Sequence, residues 1–389
     1  MLGADASTTI GLSLSGGGVR AAVFHLGVLL RLAADSRLED VSILSTVSGG
    51  SLVTAAIFAH SGMRWPTSDA YQTTVYPRLR QLITTTPLFS FGALGWRGLL
   101  KHTHRVLTDR AGLLAELLSE RWGIHGALAE LPDNPTWYIN AACFETGKNW
   151  RFSKREMGDW QFGRHYNPPF RIAQAAAASA AVPYAIGALK LTLPLEGWHR
   201  TDPATRTPVG PHKPSLRSVR LWDGGAYENL GLEAIFKPGE PLRGCDFLIV
   251  SDASGPLNPP GGGLSLLLRG QLASPRLFDL ASDQLRSLRA RMVVGEFERD
   301  SVRGAYLRMG NSVRDIDVKV GRIRSLPDYD AFQADEEGRL AILHPTALDA
   351  LTETLFDRIA RHGFEVAEAT LSARAASTFP KPRKWVQAA

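Results

Sequence analysis

The first sixty residues run through two strand–turn–helix units in succession, and this constrains the fold more than any other feature of the chain. "TIGLSLSGGGVRAAVFHLGVLLRLA" (9–33) begins as an Ile/Leu/Ser-rich strand over 9–15. It turns through three glycines and continues with helical periodicity over 20–34. "DVSILSTVS" (40–48) is a second strand and "GSLVTAAIFAH" (50–60) a second helix. Strands alternating with helices at this spacing predict a parallel α/β sheet with helices on its faces.

Further along, residues 66–130 read as helical, interrupted by the apolar "TTTPLFSFGALGWRGLL" (84–100). Strands are predicted over 136–145 and 245–254, and a short helix over 171–181 that ends before Pro183. "SLRSVRLWDGGAYENLG" (215–231) reads as strand, turn and helix start. "GPLNPPGGG" (255–263) is a loop, and a long helix follows near 275–295. Residues 328–339 are polar and loop-like, and 346–371 form a helix that breaks at Gly363. A single domain is expected over 1–377, with a frayed Pro/Lys-rich tail over 378–389.

With 389 residues, 44% hydrophobic and 21% charged, the chain can bury a sizeable core. The formal charge of +6 contains no basic run dense enough for nucleic acid, so no nucleic-acid partner is expected. Two cysteines, Cys143 and Cys245, exclude a disulfide framework or a CxxC zinc site, and no calcium-loop pattern is visible. The N-terminus lacks the pattern of a signal peptide, and no run approaches 18 apolar residues, so a cytoplasmic location is expected. The oligomeric state is not legible.

Three Gly-rich turns carry the chemistry. The first, "GGGVRA", fits the relaxed dinucleotide pattern at Gly16, Gly18 and Ala21. A dinucleotide site also wants a carboxylate at the end of the second strand, which here ends in "TVSGGS" instead. A phosphate-binding P-loop would need Gly-Lys-Ser/Thr, which is missing. The second turn places Ser48 between an apolar strand and an apolar helix, as in a nucleophile elbow, with Gly49 and Gly50 permitting the tight turn. Thr46 stands where the G-x-S-x-G pattern has its first glycine, and a helix N-cap is the competing reading of Ser48. In the third turn, Asp223 ends a strand and is followed by Gly224 and Gly225; a plain β-turn is the competing reading.

Together "GLSLSGGGVR", "TVSGGS" and "DGGAYENLG" resemble the patatin-like phospholipases, and "AAASAAVPY" (176–184) resembles that family's "ASxAxP" stretch at Ser179–Pro183. The resemblance covers roughly residues 9–252. It implies a three-layer α/β/α fold with a mostly parallel sheet and a helical insertion. It also implies a Ser48–Asp223 dyad, an oxyanion hole at Gly16, Gly17 and Gly18, and supporting roles for Arg20, Gly50, Gly224 and Gly225. Arg20 would orient the loop in preference to meeting a lipid phosphate. The implied activity is hydrolysis of acyl esters of membrane glycerophospholipids through an acyl-enzyme, with peripheral contact at the inner face of the membrane; covalent acyl transfer implies no metal and no cofactor. A dyad makes Asp223 the base, and burial beside Leu221 and Trp222 would raise its pKa enough for that task. None of the histidines stands in a catalytic motif, and His25 is the next candidate base. The apolar segment 87–100 is the expected contact with lipid, or else core. The alternatives are a catalytically weak lipid-binding protein on the same fold and a nucleotide-binding regulator using the GGGVRA loop.

Overall fold

A computed structural model describes residues 8–88, 105, 108–202, 205, 207–256, 274–320, 332–333 and 335–385. The two strand–turn–helix units form as expected. Strand β1 (Ile10–Leu14) leads into helix α1 (Gly18–Ala33), and β2 (Val41–Val47) leads into α2 (Gly49–His60). Helices α3 (Tyr76–Thr85) and α4 (Arg110–Trp122) follow, and then the strands β3 (Thr136–Cys143), β4 (Asn149–Phe152), β5 (Glu156–Asp159) and β6 (Gly163–Tyr166). Helix α5 (Ile172–Ser179) precedes β7 (Leu189–Thr192), β8 (Trp198–Thr201), β9 (Pro208–Pro211) and β10 (Ser218–Asp223). The chain ends with β11 (Phe247–Asp252), α6 (Ser274–Glu298), β12 (Gly304–Arg308), α7 (Val313–Val320), α8 (Asp335–Leu343) and α9 (Glu353–Arg374).

These strands make one mixed sheet flanked by helices. Strands β12, β11, β1, β2 and β3 pair in parallel in that order. The sheet is not mostly parallel across its width: β3 through β9 pair antiparallel, and β10 pairs antiparallel with both β3 and β7. From β3 to β6 the strands are joined by short turns, and a short turn can only reverse direction, while helix α5 and β7 intervene before β8 returns to pair with β6. Strand β11 shows the two-sided burial of the parallel core. Phe247 and Ile249 enter one apolar cluster with Leu12 and Phe24, while Leu248 and Val250 enter a second with Val293 and Phe297 of α6.

Four sequence expectations change. Gly363 does not break a helix, since α9 runs through it without interruption. Part of the expected polar loop, 335–339, is the first half of α8, opened by Asp335, Glu336 and Glu337 where the helix dipole favours acids. After Asp223 the chain makes only short 3-10 turns, because Gly224 and Gly225 are poor helix formers. The tail is docked as far as Trp385: Phe379 is buried, and Arg383 donates to Asp35 at 2.6 Å. Most of the apolar segment 87–100 lies outside the described residues.

Helix α1 is buried along all 16 residues, between the sheet and α9. Such a helix needs a partner that comes very close. A Cβ on Gly27 would overlap the carbonyl of Ala360, and one on Gly363 would overlap the carbonyl of Phe24. The two glycines therefore let the helix backbones touch. One turn away, buried Arg31 pairs with buried Glu368 and, at 2.7 Å, with Asp35, so neither charge is left unpaired in the core. Gly27→Ala should therefore cost about 3 kcal/mol or more in a denaturant melt, since the contact is backbone and cannot move aside. Gly295→Ala is the contrasting case. Its Cβ would meet only the Arg299 side chain at 3.5 Å, and helix propensity should give a gain of about 0.5–1 kcal/mol.

Candidate active site

Ser48 sits between β2 and α2 with φ 48° and ψ −117°, a left-handed region that a serine enters at a cost of roughly 1–3 kcal/mol. A buried hydrogen-bond chain holds it there. The Ser48 amide donates to Ser179 Oγ at 2.9 Å, and Ser179 Oγ meets Ser51 Oγ at 2.8 Å. Ser51 meets Thr46 Oγ1 at 2.8 Å, and Trp137 Nε1 donates to Thr46 Oγ1 at 2.9 Å. Thr46, the departure from the elbow pattern, is thus a link in this chain. Ser179, from the "AAASAAVPY" stretch, is the acceptor that fixes the strained amide. The two glycines after Ser48 let α2 abut its neighbours, for a Cβ on Gly49 would overlap the Gly18 carbonyl and one on Gly50 would lie 2.5 Å from that of Leu14.

The first glycine turn lies against this elbow. A Cβ on Gly16 would come within 3.0 Å of the Ser48 Cβ. Gly17 and Gly18 have φ of 139° and 65°, conformations open to glycine and strained for other residues. The Gly16 amide is committed to the Asn229 carbonyl at 3.2 Å, and the Val19 amide to that of Ala347 at 2.9 Å. Among the described residues the amides of Gly17 and Gly18 have no acceptor. They stand at the N-terminal end of α1, where the helix dipole favours negative charge.

Asp223 ends β10 and is placed by its neighbours on both sides. Its amide donates to the Ala181 carbonyl at 3.0 Å, and Gly224 presses against the Asn140 carbonyl. Oδ1 accepts from the Gly225 amide at 2.7 Å. Oδ2 is buried without a hydrogen-bond partner. Burial raises this carboxyl to a pKa of about 6, opposed by the Gly225 amide and by the Ser48 hydroxyl. The hydroxyl therefore acts on the carboxyl from nearby, although the two do not meet in hydrogen-bond geometry.

His25 is not at this site in a catalytic sense. Its Nε2 donates to the Ser15 carbonyl at 2.9 Å, and its Nδ1 contacts Ser251 Oγ at 2.8 Å. A carbonyl can only accept, so Nδ1 is the acceptor for the serine hydroxyl and the ring is neutral. Burial pushes its pKa down to about 4. The histidine braces α1 against β1 and β11.

A cavity of about 480 Å³ opens over Ser48, Asp223, Gly16 and Gly17. Residues 342–346, just C-terminal to most of α8, form one wall. Arg20 builds that wall. Its guanidinium donates to the carbonyls of Ile342 (3.2 Å), His344 (2.5 Å) and Ala253 (3.3 Å), and to Thr346 Oγ1 at 3.5 Å. Burial lowers its pKa to about 10, which leaves it charged at neutral pH. Both terminal nitrogens are engaged, so Arg20 orients the loop and its wall. Residues 342–346 and Asn229 were not anticipated from sequence. Asn229 lay inside the quoted "DGGAYENLG", whereas 342–346 act mainly through main-chain carbonyls, which no side-chain motif reports. Among the described residues no group of three or more His, Cys, Asp or Glu is placed to hold a metal, and no helix is long and apolar enough to cross a membrane.

The patatin-like phospholipase family model matches residues 12–236, more than half of the chain. The chain belongs to the patatin-like phospholipase family. No curated protein sequence matches it. Among solved structures, human GIVD cytosolic phospholipase A2 aligns with a TM-score of 0.57 at 16% identity, covering 96% of this chain and 62% of that one. The same human enzyme in complex with methyl gamma-linolenyl fluorophosphonate aligns with a TM-score of 0.52 at 14% identity, covering 96% and 58%. The chain thus spans about three-fifths of the length of those structures, and at this identity the likeness is one of fold.

In this patatin-like chain, removing the Ser179 hydroxyl leaves the Ser48 amide without its acceptor and Ser51 without one of its two hydroxyl partners. Ser179→Ala should cost about 1–3 kcal/mol in a thermal or denaturant melt.

Proposed function

We propose that the chain is a serine-dependent lipid acyl hydrolase acting on glycerophospholipid esters, with Ser48 as nucleophile and Asp223 as general base. One observation carries this reading. A buried carboxylate oxygen with no hydrogen-bond partner shares a cavity with a serine held in a strained turn and with Gly17, whose unpartnered amide stands beside that of Gly18 at a helix N-terminus. Family membership and the phospholipase A2 fold neighbours support the choice of lipid esters, and the bound fluorophosphonate in one neighbour points the same way.

In the first step Ser48 Oγ attacks the acyl carbonyl carbon as its proton passes to Asp223 Oδ2. The carbonyl oxygen becomes an oxyanion facing the Gly17 and Gly18 amides, and a donor of this kind is worth about 3–4 kcal/mol of barrier. Collapse breaks the ester bond. Asp223 returns the proton to the leaving alcohol, and the acyl group remains on Ser48. Water then attacks this ester, again losing its proton to Asp223; as the bond to Ser48 Oγ breaks and the fatty acid leaves, Asp223 returns that proton to Ser48 Oγ. A base with a pKa of about 6 is mostly ionised at pH 7 and far more basic than an ordinary aspartate. The dinucleotide alternative gains nothing, since Ser48 holds the end of the second strand where a ribose-binding carboxylate is needed.

Ser48→Ala should abolish hydrolysis of a short-chain ester and labelling by a fluorophosphonate probe while the melt stays cooperative; turnover like that of wild type would overturn the proposal. The pH dependence follows from the same carboxyl. Asp223 must be ionised to act, so kcat/KM should climb tenfold per pH unit below about 6 and level off above it. Asp223→Asn should lose roughly two to four decades of activity. Its stability should move the other way. The folded pKa of about 6 lies above the ordinary 3.8, so the folded state prefers the neutral form and loses stability as pH rises from about 4 to 6. Above that window Asp223→Asn should be more stable than wild type by up to about 3 kcal/mol, with the difference vanishing below pH 4.

A further inference from the structure

The charges around the cavity mouth are unevenly committed. Two arginines line it. Arg20 is spent on carbonyls, and Arg286 donates to Asp252 at 3.0 Å and to Asp283 at 2.7 Å. His344, also on the wall, has its pKa lowered by burial and by Arg20, so it is neutral at pH 7. Asp279, one turn before Asp283 on α6, lines the same opening and is exposed. It has no ion-pair partner among the described residues. Next to it, Phe278 lines the cavity and meets the ring of Tyr184 edge to face, with centroids 6.4 Å apart. Tyr184 is 61% exposed and directly follows Pro183 of the cavity wall.

We infer that the mouth is a subsite for a quaternary ammonium, the head group of a choline-type zwitterionic lipid. The inference rests on the acyl-hydrolase reading for its placement, since the head group must lie outside while the ester reaches Ser48. An exposed acid at an opening that also presents Phe278, with Tyr184 packed on it, is the chemistry that recognises a methylated ammonium: the carboxylate supplies charge, and an aromatic face attracts a cation too bulky and too weakly hydrated to be held by hydrogen bonds alone. An anionic head group would meet Asp279 with every neighbouring arginine already engaged. A zwitterion brings no net charge to the same place.

Ester-free probes test the subsite apart from catalysis. Binding of dodecylphosphocholine and of dodecyl phosphate is measured by calorimetry at low salt, below micelle formation, for the wild type and for Asp279→Lys. Asp279 is exposed, so the substitution leaves the core untouched. The wild type should prefer dodecylphosphocholine by about tenfold, Asp279→Lys should lose or reverse that preference, and Tyr184→Leu should weaken dodecylphosphocholine by several-fold with little effect on dodecyl phosphate. Equal affinities in the wild type, or a preference that Asp279→Lys leaves in place, would overturn the subsite. Turnover of 4-nitrophenyl butyrate by the wild type is measured alongside. Its absence would count against the acyl-hydrolase reading, whereas the subsite stands or falls on the two affinities.

Discussion

Everything at the candidate site hangs from one helix that has no solvent-facing side. Helix α1 begins in the glycine turn and is buried from Gly18 to Ala33. A helix so enclosed cannot shift along its axis without breaking packing on several sides at once, because interiors are close-packed. The backbone contact at Gly27 and Gly363 and the buried Arg31–Glu368 pair set its height against α9. The position of its first turn is fixed by the same contacts, and with it the direction of the Gly17 and Gly18 amides. His25 adds a brace from the middle of the helix to the ends of β1 and β11.

The site joins three turns that are distant in sequence and adjacent in the sheet. Gly16 and Gly18 touch the elbow, Ser179 holds the elbow's amide, and Ala181 holds the amide of Asp223. Asn229 ties the third turn to the first: its carbonyl takes the Gly16 amide, and its side chain donates to Ser254 at 2.8 Å. Buried Glu228 keeps that stretch in shape by accepting from the amides of Leu230 and Leu232, and burial raises its pKa to about 7. The strain at Ser48 and the desolvated Asp223 are both costs to the fold. They persist because neighbouring contacts leave these residues no easier arrangement.

Features that depend on local backbone chemistry were readable from the sequence. Three glycines after a strand, Ser-Gly-Gly after another and Asp-Gly-Gly after a third each announce a turn that needs missing side chains. What escaped depends on partners far along the chain. Gly363 looks like a helix break because a glycine is usually a poor helix former, but its role is set by the Phe24 carbonyl across the interface. Thr46 looks like a defect in a motif until Trp137, Ser51 and Ser179 are placed around it. In the antiparallel half of the sheet, β4 to β9 are four-residue strands too short for a periodic signal.

The Arg20 bonds to residues 342 and 344 span 322 and 324 positions of chain. At a synthesis rate of 5–20 residues per second, roughly 15 to 65 seconds separate the emergence of the arginine from that of its carbonyl partners. Ser48 and Asp223 both belong to the earlier portion, yet the wall over them, and the α9 helix that steadies α1, arrive later. A growing chain therefore carries Ser48 and Asp223 well before it carries a finished cavity. Closure of the cavity is therefore a late event in the growth of the chain: its floor is made early, and its wall waits until residues 342–346 have emerged.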